Sequence, residues 1–233
     1  MNDRGAAPGF EFTRDEALAD IPVGFLVLRG FDGTAFDPQF NEVRTAYLAE
    51  LLATTTLEDV LVDPRLAGYQ ALHAAIGRTG RQFTPSPESL FRVLFKRRAP
   101  LPPILPLVDL YNHCALHRRI SIGAHDLDSV QPPVRLARFA APAKFLPMGE
   151  AKEITVGAGE YGYLDGAGRV LCRLECRQAE HSKITAATRD PLLVIQGHAA
   201  LGRDEIAAAA AEIEALVARW CGGCAHADLT LLP

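Results

Sequence analysis

The chain has 233 residues, enough for one large domain or two small ones. Hydrophobic residues make up 48% and charged residues 22%, the balance of a globular protein that buries a core. A formal net charge of −4 argues against a dedicated nucleic-acid coat, but leaves room for a local basic patch. No apolar run approaches the length of a membrane span, and "MNDRGAAPGF" carries no hydrophobic signal region. The expected setting is therefore the cytoplasm. Five cysteines, an odd number in a chain of this length, fit reduced thiols better than a disulfide framework.

Residues 1–20 read as a loose tail ahead of one domain over residues 21–233. "VGFLVLRGF" is a continuous apolar run ending in glycine, which predicts a buried strand. "DPQFNEVRTAYLAELLATTT" predicts a helix. Asp37 is its expected cap, and Phe40, Val43, Tyr47, Leu48, Leu51 and Leu52 share one face. "DPRLAGYQALHAAIG" repeats the device, with Asp63 as cap, Pro64 at the first position and Gly77 as stop. "SPESLFRVLFKRR" predicts a third helix capped by Ser86. A proline-broken segment leads to a fourth, "PLVDLYNHCALHRR".

The character then changes. "VRLARF", "YGYLD", "RVLCRLEC" and "LLVIQG" are short strand signals, and "LDGAG" predicts a hairpin turn. An alanine-rich helix and a final strand, "ADLTLL", close the chain. Helices followed by strands, without regular alternation, predict a single α+β domain.

The residues that draw chemical attention are weak signals on their own. His113 and His117 stand four apart and would share a helix face, as zinc ligands do, but Arg118 and Arg119 beside them oppose a cation. Cys172 and Cys176, and the Cys221/Cys224 pair, are alternative zinc ligands. Burial on one face of a strand accounts for the first pair, and a Gly-Gly helix terminus for the second. The expectation is no metal and no cofactor. No nucleophile elbow or phosphate-cradling glycine loop is present. "RQAEHSKITAAT" is a polar loop at a strand end, the kind of segment on which binding residues sit. Arg92, Lys96, Arg97 and Arg98, with the "HRR" of residues 117–119, form short basic clusters suited to phosphate.

Taken together, "SPESLFRVLFKRRAPLPPILPLVDLYNHCALHRRISIGAHDLDSV" and "AEHSKITAATRDPLLVI" resemble the B3/B4 domain of the phenylalanyl-tRNA synthetase beta subunit. The matching positions are Ser86 and Pro87, then Val108, Asp109 and Asn112, then Gly123, Ala124, Asp126, Leu127 and Asp128. The resemblance covers roughly residues 63–197, and the chain looks like the free-standing members of that family. It implies a mixed, sandwich-like β core flanked by helices. It also implies an editing site that hydrolyses the ester of a misacylated tRNA.

By that resemblance the substrate pocket takes in Asp109, Asn112, Gly123, Ala124, His125, Asp126, Glu180, Ser182, Lys183 and Thr185. Glu180 would read the substrate's polar end. Ser182, Lys183 and Thr185 would hold the carbonyl or the terminal ribose, and Asp109 and Asn112 would brace the pocket. Arg92, Lys96, Arg97 and Arg98 would meet tRNA phosphate. The implied partner is tRNA or aminoacyl-tRNA, with no DNA and no membrane. No catalytic residue is assigned. Two departures stand out: Gly123 occupies the place of the family's histidine, and Gln178-Ala179 that of its Gly-Gly. A non-catalytic module for RNA or an amino acid-like ligand is the alternative reading, and a zinc-stabilised interaction protein a third.

Overall fold

The computed structural model describes residues 10–232. Its elements run β1 (Phe12–Arg14), β2 (Val23–Arg29), α1 (Phe40–Thr54), α2 (Leu57–Leu61), α3 (Pro64–Ala75), α4 (Ser86–Arg97), α5 (Pro106–Arg118) and β3 (Ser121–Asp126). They continue with β4 (Val134–Arg138), β5 (Ala143–Phe145), β6 (Ile154–Val156), β7 (Tyr161–Leu164), β8 (Val170–Arg173), β9 (Arg177–Gln178), β10 (Pro191–Gln196), α6 (Arg203–Trp220) and β11 (His226–Leu231).

Two strands without a polar face decide the architecture. In β2 and β10, Val23, Phe25, Val27, Leu192 and Val194 turn one way. Leu26, Leu28, Leu193 and Ile195 turn the other. Because side chains alternate, a strand apolar on both faces must lie between two layers. One layer is helical: α5 and α6 supply Leu107, Leu110, Ile206 and Ile213 to that core. The other is a second sheet, which brings Val134, Leu136, Tyr163 and Leu171 against β2 and β10.

The first sheet is antiparallel throughout, in the order β11-β2-β10-β3. The second runs β1-β4-β7-β8-β9, with β1 parallel to β4 and the remaining pairs antiparallel. The result is an α+β domain with a sandwich of two sheets, one of them backed by helices. A smaller helical core, built on Leu48, Leu66, Phe91 and Leu116, ties α1, α3, α4 and α5 together.

Several sequence expectations need correction. The expected tail over residues 1–20 is too long: Phe12–Arg14 pairs with Val134, Arg135 and Leu136, and Leu18 and Ile21 are buried. The first part of that tail, residues 1–9, lies outside the described residues. In α1, Phe40 and Leu48 are buried as expected, but Val43 is exposed and Arg44 is buried in its place. Asp37 accepts from the Gln39 N–H and holds the turn before α1. Ser86 is the first residue of α4 and does not cap it: its Oγ lies 2.9 Å from Ser121 Oγ, a tie to β3. Asp63 does cap α3, accepting from the Arg65 N–H at 2.7 Å.

Cys172 and Cys176 do not share one straight strand. Leu174 between them has φ of 54°, and the chain doubles back there from β8 into β9. A buried leucine in the left-handed region is strained, and here the bend turns Glu175 inward. Two further left-handed residues, Arg98 and Arg119, close α4 and α5. Among the described residues no helix is long and apolar enough to cross a membrane.

Candidate functional site

Where α4 and α5 meet the edge strand β3, the layers do not close. They leave a cavity of about 500 Å³, within the range of small-ligand sites. Leu90 and Val93 of α4, Val108 of α5, and Val194 and Tyr163 from the sheets give it an apolar lining. Polar side chains enter at a few points: Ser89, Asn112, Gln178 and the Ser86–Ser121 hydroxyl pair. Asp109, Asn112, Gly123 and His125 of the expected pocket residues do line it.

Asp109 braces the wall. Its carboxylate accepts from the Ile104 N–H at 3.0 Å and pairs with Arg44 at 3.2 Å. This pins the proline-containing segment to the first turn of α5 and to α1. Burial pushes the Asp109 carboxyl up, against the pull of the Ile104 N–H and Arg44. Asn112, one turn on, is not part of this bracing. Among the described residues its amide makes no hydrogen bond, and the half-buried residue lines the cavity.

Gly123 and Gln178 explain each other. Gln178 Nε2 donates to the Ala124 carbonyl at 3.0 Å, satisfying the open edge of β3. That path crosses directly over Gly123, where a Cβ would lie 2.7 Å from Gln178 Nε2. A side chain at 123 and the glutamine at 178 therefore compete for one space. A side chain at 123 thus requires a different arrangement at 178.

His125 lines the cavity from β3, and its Nδ1 lies 2.9 Å from Ser182 Oγ. A serine beside an imidazole suggests nucleophilic catalysis, but Ser182 is wholly buried behind the strand. Burial, then the neighbouring His181, drives the His125 imidazole down to about 3. It is neutral near pH 7 and a weak base. Cys172 and Cys176 also line the cavity, yet burial pushes the Cys172 thiol well up and Cys176 to about 12. Neither is a thiolate near neutrality. All five cysteines are free thiols. Among the described residues no group of three or more His, Cys, Asp or Glu side chains is placed to hold a metal ion.

The other expected pocket residues are placed elsewhere. Ala124 packs into the helical core, on the opposite face of β3 from His125. Asp126 accepts from Thr188 Oγ1 at 2.7 Å and from the Asp128 N–H, closing a loop end. Thr185 accepts from the Ala187 N–H, within the turn that Thr188 also holds. Glu180 accepts from the Gly149 N–H at 2.9 Å and pairs with Lys183. These contacts hold its carboxyl below the usual range, and it is not among the residues that line the cavity. The polar loop is thus largely self-satisfied.

One buried acid had no place in the sequence reading. Glu175 lies beneath the cavity floor, where its Oε2 accepts from Tyr161 Oη at 2.8 Å and Gln196 Nε2 at 3.2 Å. Its Oε1 sits 2.6 Å from His73 Nε2. Burial disfavours the charged imidazole, but Glu175 at Nε2 and the Phe83 carbonyl at Nδ1 outweigh it, so His73 is raised. The network continues through Tyr163, whose hydroxyl donates to Gln196 Oε1 at 2.5 Å, and Tyr69, which donates to the Gln196 carbonyl. It fixes the floor of the cavity in one arrangement. The signal was there to find: a glutamate inside the apolar "RVLCRLEC" needs a buried partner.

The expected basic residues divide between two places. Arg97 lines the cavity. Arg92, Lys96 and Arg98 border a larger groove of about 1360 Å³ on the other side of α4.

The class of protein so defined is a two-sheet α+β domain with a helix-walled cavity of small-ligand size. The B3/4 domain family matches residues 69–214, and the chain belongs to that family. Its phenylalanine–tRNA ligase beta subunit relatives include that of Thermofilum pendens. That relative is 27% identical over 176 residues, covering 65% of this chain and 30% of the relative. The Pyrobaculum aerophilum subunit is 28% identical over 98 residues, or 34% of this chain and 19% of that one. The chain thus spans less than a third of either relative. An N-terminal fragment of the phenylalanyl-tRNA synthetase beta subunit from Pyrococcus horikoshii shares the fold. It has a TM-score of 0.51 and 15% identity over 96% of this chain and 54% of the fragment.

Proposed function

We propose that the cavity walled by α4, α5 and β3 holds the amino-acid group of a misacylated tRNA, and that the chain hydrolyses the ester in trans. The observation that carries this is Asn112. It brings to the cavity an amide with no hydrogen-bond partner among the described residues, whereas Ser86, Ser121, Asp109 and Gln178 there are already bonded. An amide donor beside an apolar pocket suits an ester carbonyl that gains negative charge when attacked. Water supplies the nucleophile: its oxygen bonds to the carbonyl carbon, the acyl–oxygen bond breaks, and the ribose hydroxyl leaves with a proton. No protein nucleophile is assigned.

The beta-subunit relatives support the tRNA ester as substrate class. The apolar lining favours an apolar or aromatic amino-acid side chain. By the resemblance, Gly123 stands where the family has a histidine, and here the neutral amide of Gln178 lies over that position. The test is deacylation of a panel of mischarged tRNAs by the purified chain. Hydrolysis of at least one ester well above buffer is expected, and its absence from a folded protein overturns the reading.

A second reading has its own support. His125, an imidazole at the cavity wall, is a weak base. That favours a module which binds an amino acid-like group without turning it over. Calorimetric binding of a free amino acid, with no deacylation, would establish it.

A further inference from the structure

We infer that the groove on the far side of α4 is a separate seat for a single-stranded RNA backbone. It is formed by α4, the junction of α1 and α2, and the segment after α3. Arg92, Lys96 and Arg98 face it from α4. Arg78 and Arg81, which no sequence pattern singled out, face it from the other bank.

Five cations therefore meet one carboxylate, Glu88, in a chain whose net charge is −4. Two of the five are anchors. Arg92 pairs with Glu88 at 2.5 Å, and Arg78 pairs with Glu160 at 2.8 Å. Arg81, Lys96 and Arg98 have no ion-pair or hydrogen-bond partner among the described residues and are exposed. Unpaired cations concentrated on two banks of one groove repel each other until an anion enters, and a phosphodiester chain matches a groove better than a single anion does.

The geometry also links the two sites. Lys96 and Arg98 border the groove, while Arg97 between them lines the cavity. The helix α4 is thus the wall that the groove and the cavity share. The choice of RNA rests on the deacylase reading; the charge arrangement does not.

The experiment is fluorescence anisotropy of the full chain with a 12-nucleotide single-stranded oligoribonucleotide, between 50 and 200 mM KCl. Three phosphate contacts give a log–log salt slope of about −2, so affinity should fall about 20-fold over that range. The R81A/K96A/R98A variant, with its thermal melt unchanged, should lose most of that slope. Unaltered RNA affinity in this variant overturns the inference. So does tighter binding of poly-glutamate than of the oligonucleotide. Deacylation is scored separately on the same preparations. RNA binding without ester hydrolysis sinks the deacylase reading alone, and hydrolysis with salt-insensitive RNA binding sinks the groove alone.

Discussion

The exchange between Gly123 and Gln178 is open to a direct energetic test. A methyl group added at 123 would lie 2.7 Å from Gln178 Nε2, so Gly123→Ala forces the amide off its hydrogen bond to the Ala124 carbonyl. That bond contributes about 1 kcal/mol, and leaving a partly buried carbonyl without a donor costs about 1–3 kcal/mol. Against this, Gly123 has ordinary strand geometry, without a positive φ. Alanine at such a position stabilises by about 0.4–1 kcal/mol through the unfolded chain. The net expectation for G123A is a loss of roughly 1–2 kcal/mol.

In a Q178A background the obstruction is gone. The same substitution should then be neutral or gain about 0.5 kcal/mol. Urea unfolding of the four proteins at 25 °C gives the coupling energy, expected at about 1–2 kcal/mol. Additivity within about 0.5 kcal/mol would mean that the two residues do not share one space, and the account of the altered wall would fail.

Further expectations follow from the same geometry. N112A should leave stability within about 0.5 kcal/mol, since the amide has no internal partner. If the amide serves the carbonyl, the variant should lower kcat/KM for ester hydrolysis about 100-fold. D109A strands Arg44 in the wall and should cost about 3–5 kcal/mol by chemical denaturation. The R44L/D109L pair should recover a large part of that loss. His125 is driven down to about 3 from the histidine reference of 6.5, so its contribution holds above 6.5 and falls as the unfolded state takes up a proton below it. From pH 6.5 to 4.5 that amounts to about 2–3 kcal/mol. His73, whose value is raised, acts in the opposite sense: its contribution is intact below 6.5 and lost at higher pH. H125Q should flatten the acid limb of a stability–pH curve, and an unchanged limb would show that His125 is not its source.

The elements with a local cause were legible in the sequence. Asp63, Pro64 and Gly77 mark α3 because a cap, a first-turn proline and a left-handed stop act within a few residues. The apolar runs marked β2 and β10 because both faces are covered. The resemblance to the B3/B4 domain, through Asp109, Asn112 and Gly123, led to the cavity wall. What was not legible depends on long-range pairing. Phe12–Arg14 reads as tail because its partners lie over 120 residues away. Glu180 entered the expected pocket through the resemblance, and only the fold shows Gly149 and Lys183 occupying it. Glu175 lies in a run read only as a strand, and the bend at Leu174 sets it against His73.

Arg98 ends α4 at φ of 50°, a conformation in which glycine would sit without penalty. Its N–H still bonds the Leu94 carbonyl, so glycine would terminate the helix equally well. R98G should therefore raise the melting temperature while weakening the protein's hold on a polyanion. At this helix end, sturdiness and charge pull in opposite directions. A screen for thermostable variants would discard this arginine early, and a screen for RNA capture would keep it.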